Sequence, residues 1–151
     1  MKSKWDVLRR EVYKQYEYKC GVCEKTDTRL SCHEIWDYND TEHIQTLTGF
    51  IALCDLCHHC KHLGLAGILA RQGKLDIETV INHYREVNNC TLLEFQADRD
   101  IVFRQWEERN KYEWVCDISK YIAYLPTTTK FTNGRIVGTR RLVDNIESTL
   151  P

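Results

Sequence analysis

Two pairs of cysteines and three histidines are the residues of this chain whose types and spacing best suit chemistry. The pairs are Cys20-Gly21-Val22-Cys23 and Cys54-Asp55-Leu56-Cys57, with thirty residues between them. Each Cys-x-x-Cys turn presents two sulfurs from one tight loop, and two such turns fill a tetrahedral Zn²⁺ shell. Four protein ligands leave no open position, so this group reads as a structural site. His58 and His62 are four residues apart and share one face if they lie on a helix. With His33 they offer three imidazoles to a second cation. His59 falls off that face, and His43 and His83 read as capping or surface histidines. Cys32, Cys60, Cys90 and Cys116 read as small buried hydrophobes, with Cys57 preferred over Cys60 as ligand because its spacing matches the first pair.

The elements that must position these groups are legible in part. Trp5, Leu8 and Val12 recur at helical spacing ahead of the first pair. Arg29 to Trp36 and Ile44 to Leu53 can pair as strands, followed by a helix from Cys57 to Ala70 that Gly64 and Gly67 weaken. Asp76 is suited to cap a helix reaching Asn88 or Asn89. A longer helix is expected over Thr91 to Lys111, with Leu92, Phe95, Ile101, Val102 and Trp106 as core candidates. Trp114 to Leu125 suggests one more short element, Pro126 to Thr129 a loop, and Asn133-Gly134 the tip of an edge hairpin or loose arm.

Bulk properties bound the reading. A chain of 151 residues with eight cysteines, four tryptophans and only two prolines reads as one folded domain, or one domain with appendages. It has no apolar run long enough for a membrane and no signal-peptide stretch at its start, which points to a cytoplasmic setting. In a reducing compartment close cysteine pairs bind metal more often than they form disulfides. The net charge of −1 conceals an uneven distribution. Residues 1–30 hold eight Lys or Arg against five acids, residues 31–60 hold five acids and no Lys or Arg, and the stretch from 126 onward holds four Lys or Arg against two acids. An acidic centre between basic ends suits a cation site flanked by phosphate-contacting arms, and equally an ordinary soluble protein.

At these residues the chain resembles the HNH endonuclease superfamily, in the bacterial and phage subgroup with a Cys₄ zinc site. The resemblance rests on Cys20-x-x-Cys23, His33-Glu34-Ile35-Trp36, Ile51-Ala52-Leu53-Cys54-x-x-Cys57-His58 and Lys61-His62. It covers residues 20–64 and extends to Val87-Asn88 and to Trp106 through Trp114-x-x-Asp117. It implies an α+β fold with a small ββα-metal core. Residues 1–70 would form that domain with its N-terminal helix, 71–125 a helical extension packed on it, and 126–151 a basic C-terminal arm.

The implied activity is metal-dependent hydrolysis of DNA phosphodiester bonds in a bacterial or phage-infected cell. His33 and Glu34 would be the catalytic residues, with His33 as general base. His58 and His62 would ligate a catalytic divalent cation (Mg²⁺, Mn²⁺, Ni²⁺ or Zn²⁺), and the four cysteines a structural Zn²⁺. DNA is the expected partner, alongside a protein partner or a second copy of the chain, with no small-molecule cofactor. Two positions depart from the pattern: Cys32 stands where an Asp or His ligand precedes the base, and Gly49 stands near where the central Asn belongs. A second register, with His33 itself a ligand, therefore stays open. So does an inactive zinc-stabilised module that binds nucleic acid or protein.

Overall fold

The structure, a computed structural model, describes residues 3–124 and the backbone of Arg135–Val137. The fold is mixed α+β. In chain order it comprises α1 (Lys4–Gln15), β1 (Leu30–Asn39), β2 (Ile44–Cys54), α2 (Asp55–Lys61), α3 (Leu63–Arg71), α4 (Ile77–Asn88), α5 (Leu92–Arg109), β3 (Val115–Asp117), a 3₁₀ turn (Ser119–Tyr124) and β4 (Arg135–Val137). The strands lie in the order β1-β2-β3-β4, with β3 parallel to β2 and antiparallel to β4. The expected basic arm over 126–151 and the hairpin tip at Asn133-Gly134 lie outside the described residues except for β4. Among the described residues no helix is long and apolar enough to cross a membrane.

The chain gathers into two compact units, and both hairpin strands run through each. The first comprises Met1–Val12, Glu34–Phe50 and Trp106–Pro151. Its buried side chains include Trp5, Leu8 and Val12 of α1, with Leu47, Phe50, Trp114, Cys116 and Ile118. Trp5 meets Phe50 edge-on at 5.9 Å, and Phe50 meets Tyr121 the same way at 4.9 Å. The hairpin turn is closed by Asn39, whose Oδ1 accepts from the N–H groups of Thr41 and Glu42 at 3.1 and 3.0 Å. That local bond replaces ladder pairing where the chain must reverse.

The second unit comprises Tyr13–His33 and Ile51–Gln105, and contains every cysteine and histidine singled out above as a ligand. Its centre is built around sulfur: Cys20, Leu53, Cys54 and Cys57 are buried together, and Cys23, Leu30, Ile51 and Leu56 pack against them. Helix α4 begins and ends as its sequence suggests. Asp76 accepts from the Glu78 N–H at 3.1 Å and from the Thr79 hydroxyl, and Asn89 closes the helix in the left-handed conformation.

Two expectations need correction. The helix foreseen from Cys57 to Ala70 is two helices, because His62 leaves helical dihedrals at φ −116° and ψ 52°. On α5 only Phe95 of the proposed core residues is buried, whereas Leu92, Ile101, Val102 and Trp106 are between 45% and 57% exposed. Ile101, Val102 and Phe103 are consecutive, and successive helical residues point about 100° apart, so no single face can bury them all.

Candidate metal centres

The first centre is assembled at the junction of a strand and a helix. β2 ends at Cys54, which is the N-cap of α2, and Cys57 follows in the first turn of that helix. The opposing turn, Cys20 to Cys23, is held by Cys20 N–H donating to the Lys25 carbonyl at 3.0 Å and Glu24 N–H donating to the Cys20 carbonyl at 3.0 Å. Glu24 lies in the left-handed region at φ 59°. Gly21 N–H reaches across to the Ala52 carbonyl at 2.7 Å, which brings the two turns together.

That approach is why position 21 is glycine. A Cβ there would lie 2.6 Å from the Tyr16 ring and 2.8 Å from the Ile51 side chain. Gly21→Ala is therefore expected to destabilise the protein by roughly 1–3 kcal/mol through overpacking. Denaturant unfolding of the zinc-loaded protein measures this, and an unchanged midpoint would mean that the turn does not sit against β2 as described.

The ligand atoms of Cys20, Cys23, Cys54 and Cys57 all lie within 4.8 Å of one another, and the sulfurs of Cys23 and Cys54 are 3.6 Å apart. Zinc–sulfur bonds of about 2.3 Å in a tetrahedron put sulfurs about 3.8 Å apart. The four cysteines can thus hold a metal ion, and four soft donors at this spacing fit structural zinc. None of the eight cysteines forms a disulfide.

Their ionisation is uneven. Burial pushes Cys20 upward, but N–H groups of Cys23, Cys54 and Val22 bonded to its sulfur outweigh it and bring the thiol down to about 7. Cys54 is raised, chiefly by burial. Cys57 is pushed far up, by burial first and then by its hydrogen bonds to Cys20 and Cys23. Cys20 is prepared to ionise, whereas Cys54 and Cys57 need a cation in their midst to do so.

The second centre brings together the three imidazoles. Ligand nitrogens of His33, His58 and His62 also lie within 4.8 Å of one another, with His62 Nε2 and His33 Nδ1 only 3.2 Å apart. The rings meet edge-on, at centroid distances of 5.4, 4.8 and 4.8 Å. His33 projects from β1, His58 from α2, and His62 from the break between α2 and α3. His59 and Cys60, between the last two, are not part of either group. Glu34 follows His33 on β1 and is counted in the first unit. Burial raises its carboxyl above the usual range, opposed by a hydrogen bond from its own backbone.

His33 and His58 are both brought down to about 4. For His33 the cause is burial, then the charges of His62, His58 and Lys61; for His58 it is burial, then His62 and His59. His62 is lowered as well, by burial and then His59. All three rings are neutral at pH 7, with lone pairs available to a cation.

An unfolded chain takes up protons at such rings around pH 6.5, whereas the folded chain resists until about 4. This contribution to stability is complete above pH 6.5 and is lost as pH falls through about 4. With only the cysteine site loaded, the ring C–H signals of His33 and His58 are expected to stay flat in NMR from about pH 8 to about 5.5. An exposed imidazole would be nearly fully protonated by then. Titration midpoints near 6.5 would mean that the rings stand in open solvent.

Sequence reasoning passed over one residue at the first centre. His83, read as a surface or capping histidine, places Nε2 3.1 Å from the Cys57 sulfur. The available signal was its position one turn after Val80, which is fully buried on α4. His43, given the same reading, stacks on Tyr112 at 4.2 Å within the first unit.

No family model, curated protein or solved structure matches this chain.

Proposed function

We propose that this chain is an HNH-type metal-dependent endonuclease that hydrolyses DNA phosphodiester bonds. The observation that carries the reading is the convergence of His33, His58 and His62 in the same unit as the four-cysteine group. The two groups differ in the way that separates structural from catalytic sites. Four sulfurs close a shell, whereas three nitrogens leave a tetrahedral cation one position for solvent or substrate. Strand-borne His33, helix-borne His58 and His62 at the end of that helix also follow the strand-and-helix arrangement that the resemblance implies.

The 3.2 Å separation of His62 Nε2 and His33 Nδ1 favours the register in which His33 is the third ligand rather than the general base. Zinc–nitrogen bonds of about 2.0–2.1 Å in a tetrahedron bring nitrogens to about 3.3 Å. A divalent ion bound there supplies Lewis-acid polarisation of the phosphodiester and neutralises charge on the leaving 3′-oxygen. The chain's own part is to hold three neutral donors in place and to accept the proton of the attacking water. In the other register, His33 is itself the general base that takes that proton.

The test is nicking of supercoiled plasmid by protein stripped of metal and reloaded with Mg²⁺, Mn²⁺, Ni²⁺ or Zn²⁺. Nicking that requires the histidine centre supports the nuclease. Metal bound at the three histidines without nicking would sink it and leave an inactive zinc-stabilised module that binds nucleic acid or protein.

A further inference from the structure

We propose that His83 belongs to the cysteine metal centre: its Nε2–H donates to the Cys57 sulfur, and that bond makes α4 part of the zinc clamp. The inference rests on zinc at the four cysteines and is independent of nuclease activity.

His83 Nε2 lies 3.1 Å from Cys57 Sγ, within hydrogen-bonding reach of sulfur. Because Cys20, Cys23, Cys54 and Cys57 already fill a tetrahedral shell, His83 is surplus as a ligand. A thiolate has only acceptor capacity, so the ring nitrogen facing it must carry the proton. Four thiolates around one Zn²⁺ leave two negative charges in excess, and a donor aimed at one sulfur disperses part of that excess.

The packing around this bond is matched in pitch. Cys57 and Cys60 stand one turn apart on α2, and Val80 and His83 stand one turn apart on α4. Cys60 Sγ donates to the Val80 carbonyl at 3.6 Å, while Cys57 takes the bond from His83. Two sulfurs on one helix thus meet successive turns of the other. The α4 ends are independently fixed by the Asp76 cap and the left-handed Asn89, so His83 is delivered from a rigid support.

The wild-type protein, loaded with zinc and labelled with ¹⁵N, decides the tautomer by long-range ¹H–¹⁵N NMR. A protonated Nε2 is expected, with magnetisation passing across the hydrogen bond when ¹¹³Cd replaces zinc; a bare Nε2 overturns the proposal. His83→Phe keeps a ring and removes the donor, whereas His83→Gln retains an N–H. In chelator competition His83→Phe is expected to bind zinc about 10- to 100-fold more weakly, with His83→Gln recovering most of the loss. Equal affinity in His83→Phe overturns the proposal, as does a Co²⁺ spectrum of three sulfurs and one nitrogen in the wild type. If His83→Phe does not fold, the wild-type tautomer decides alone. A wild type that binds no zinc at the cysteines overturns this proposal and the zinc assignment while leaving the histidine centre to its own test.

Discussion

Cys54→Ser is expected to abolish cooperative folding of the unit formed by Tyr13–His33 and Ile51–Gln105. Cys54 ends β2, caps α2 and is buried against Cys20, Leu53 and Cys57, so its sulfur holds a strand, a helix and the opposing turn. Structural zinc contributes on the order of 10–16 kcal/mol in small sites. A whole domain is stable by only about 5–15 kcal/mol, so the metal term outweighs the margin. Without it the apolar residues packed around the sulfurs, Leu30, Ile51 and Leu56 among them, lose the centre they pack against. The measurement is hydrogen exchange of the wild type, of wild type stripped by chelator, and of Cys54→Ser. Amides around Cys20–Cys23 and Ala52–Cys57 should lose protection in the latter two. Cys60→Ser is the control: its sulfur makes one bond to the Val80 carbonyl, which a hydroxyl can replace, so protection should persist. Retained cooperative unfolding in Cys54→Ser would mean that the four cysteines do not organise this unit.

The ligand sets were readable because their chemistry is local. A Cys-x-x-Cys turn carries its geometry within four residues, and a four-residue spacing of histidines places two rings on one side of a helical turn. The cap at Asp76 and the closing Asn89 were visible for the same reason. What was hidden is non-local. Nothing in the order of residues announces that His83 will meet Cys57, 26 positions away, because that contact depends on how α4 docks on α2. The break at His62 was equally hidden, since neither proline nor glycine occupies the position. On α5 the failure has another cause. Leu92, Phe95, Ile101, Val102 and Trp106 are apolar, but their spacing traces no single stripe, and the structure leaves Ile101 and Val102 exposed. The role of His33 is of the same kind: the spacing allows a base or a ligand, and the proposed ligand role rests on a distance to His62, 3.2 Å, that no spacing announces.

That distance also shapes the second large effect, which is expected from His58→Ala. If the three imidazoles hold the catalytic cation, removing the His58 ring leaves two donors, and the cation binds loosely at the position where phosphodiester charge must be neutralised. Several kcal/mol of transition-state stabilisation is at stake, and each 1.36 kcal/mol is tenfold, so plasmid nicking should fall by about 10³-fold or more. Zinc at the cysteines should be retained, because His58 is not among those ligands. His33→Ala then separates the two registers. A ligand role predicts that its histidine-site cation is lost together with nicking, whereas a base role predicts that nicking alone is lost. Glu34→Gln completes the comparison: Glu34 is in neither group of ligands, so this variant should leave both metal stoichiometries intact. Equal nicking by wild type, His58→Ala and His33→Ala would place the activity outside the histidine centre, and the convergence of these rings would then need a non-catalytic explanation.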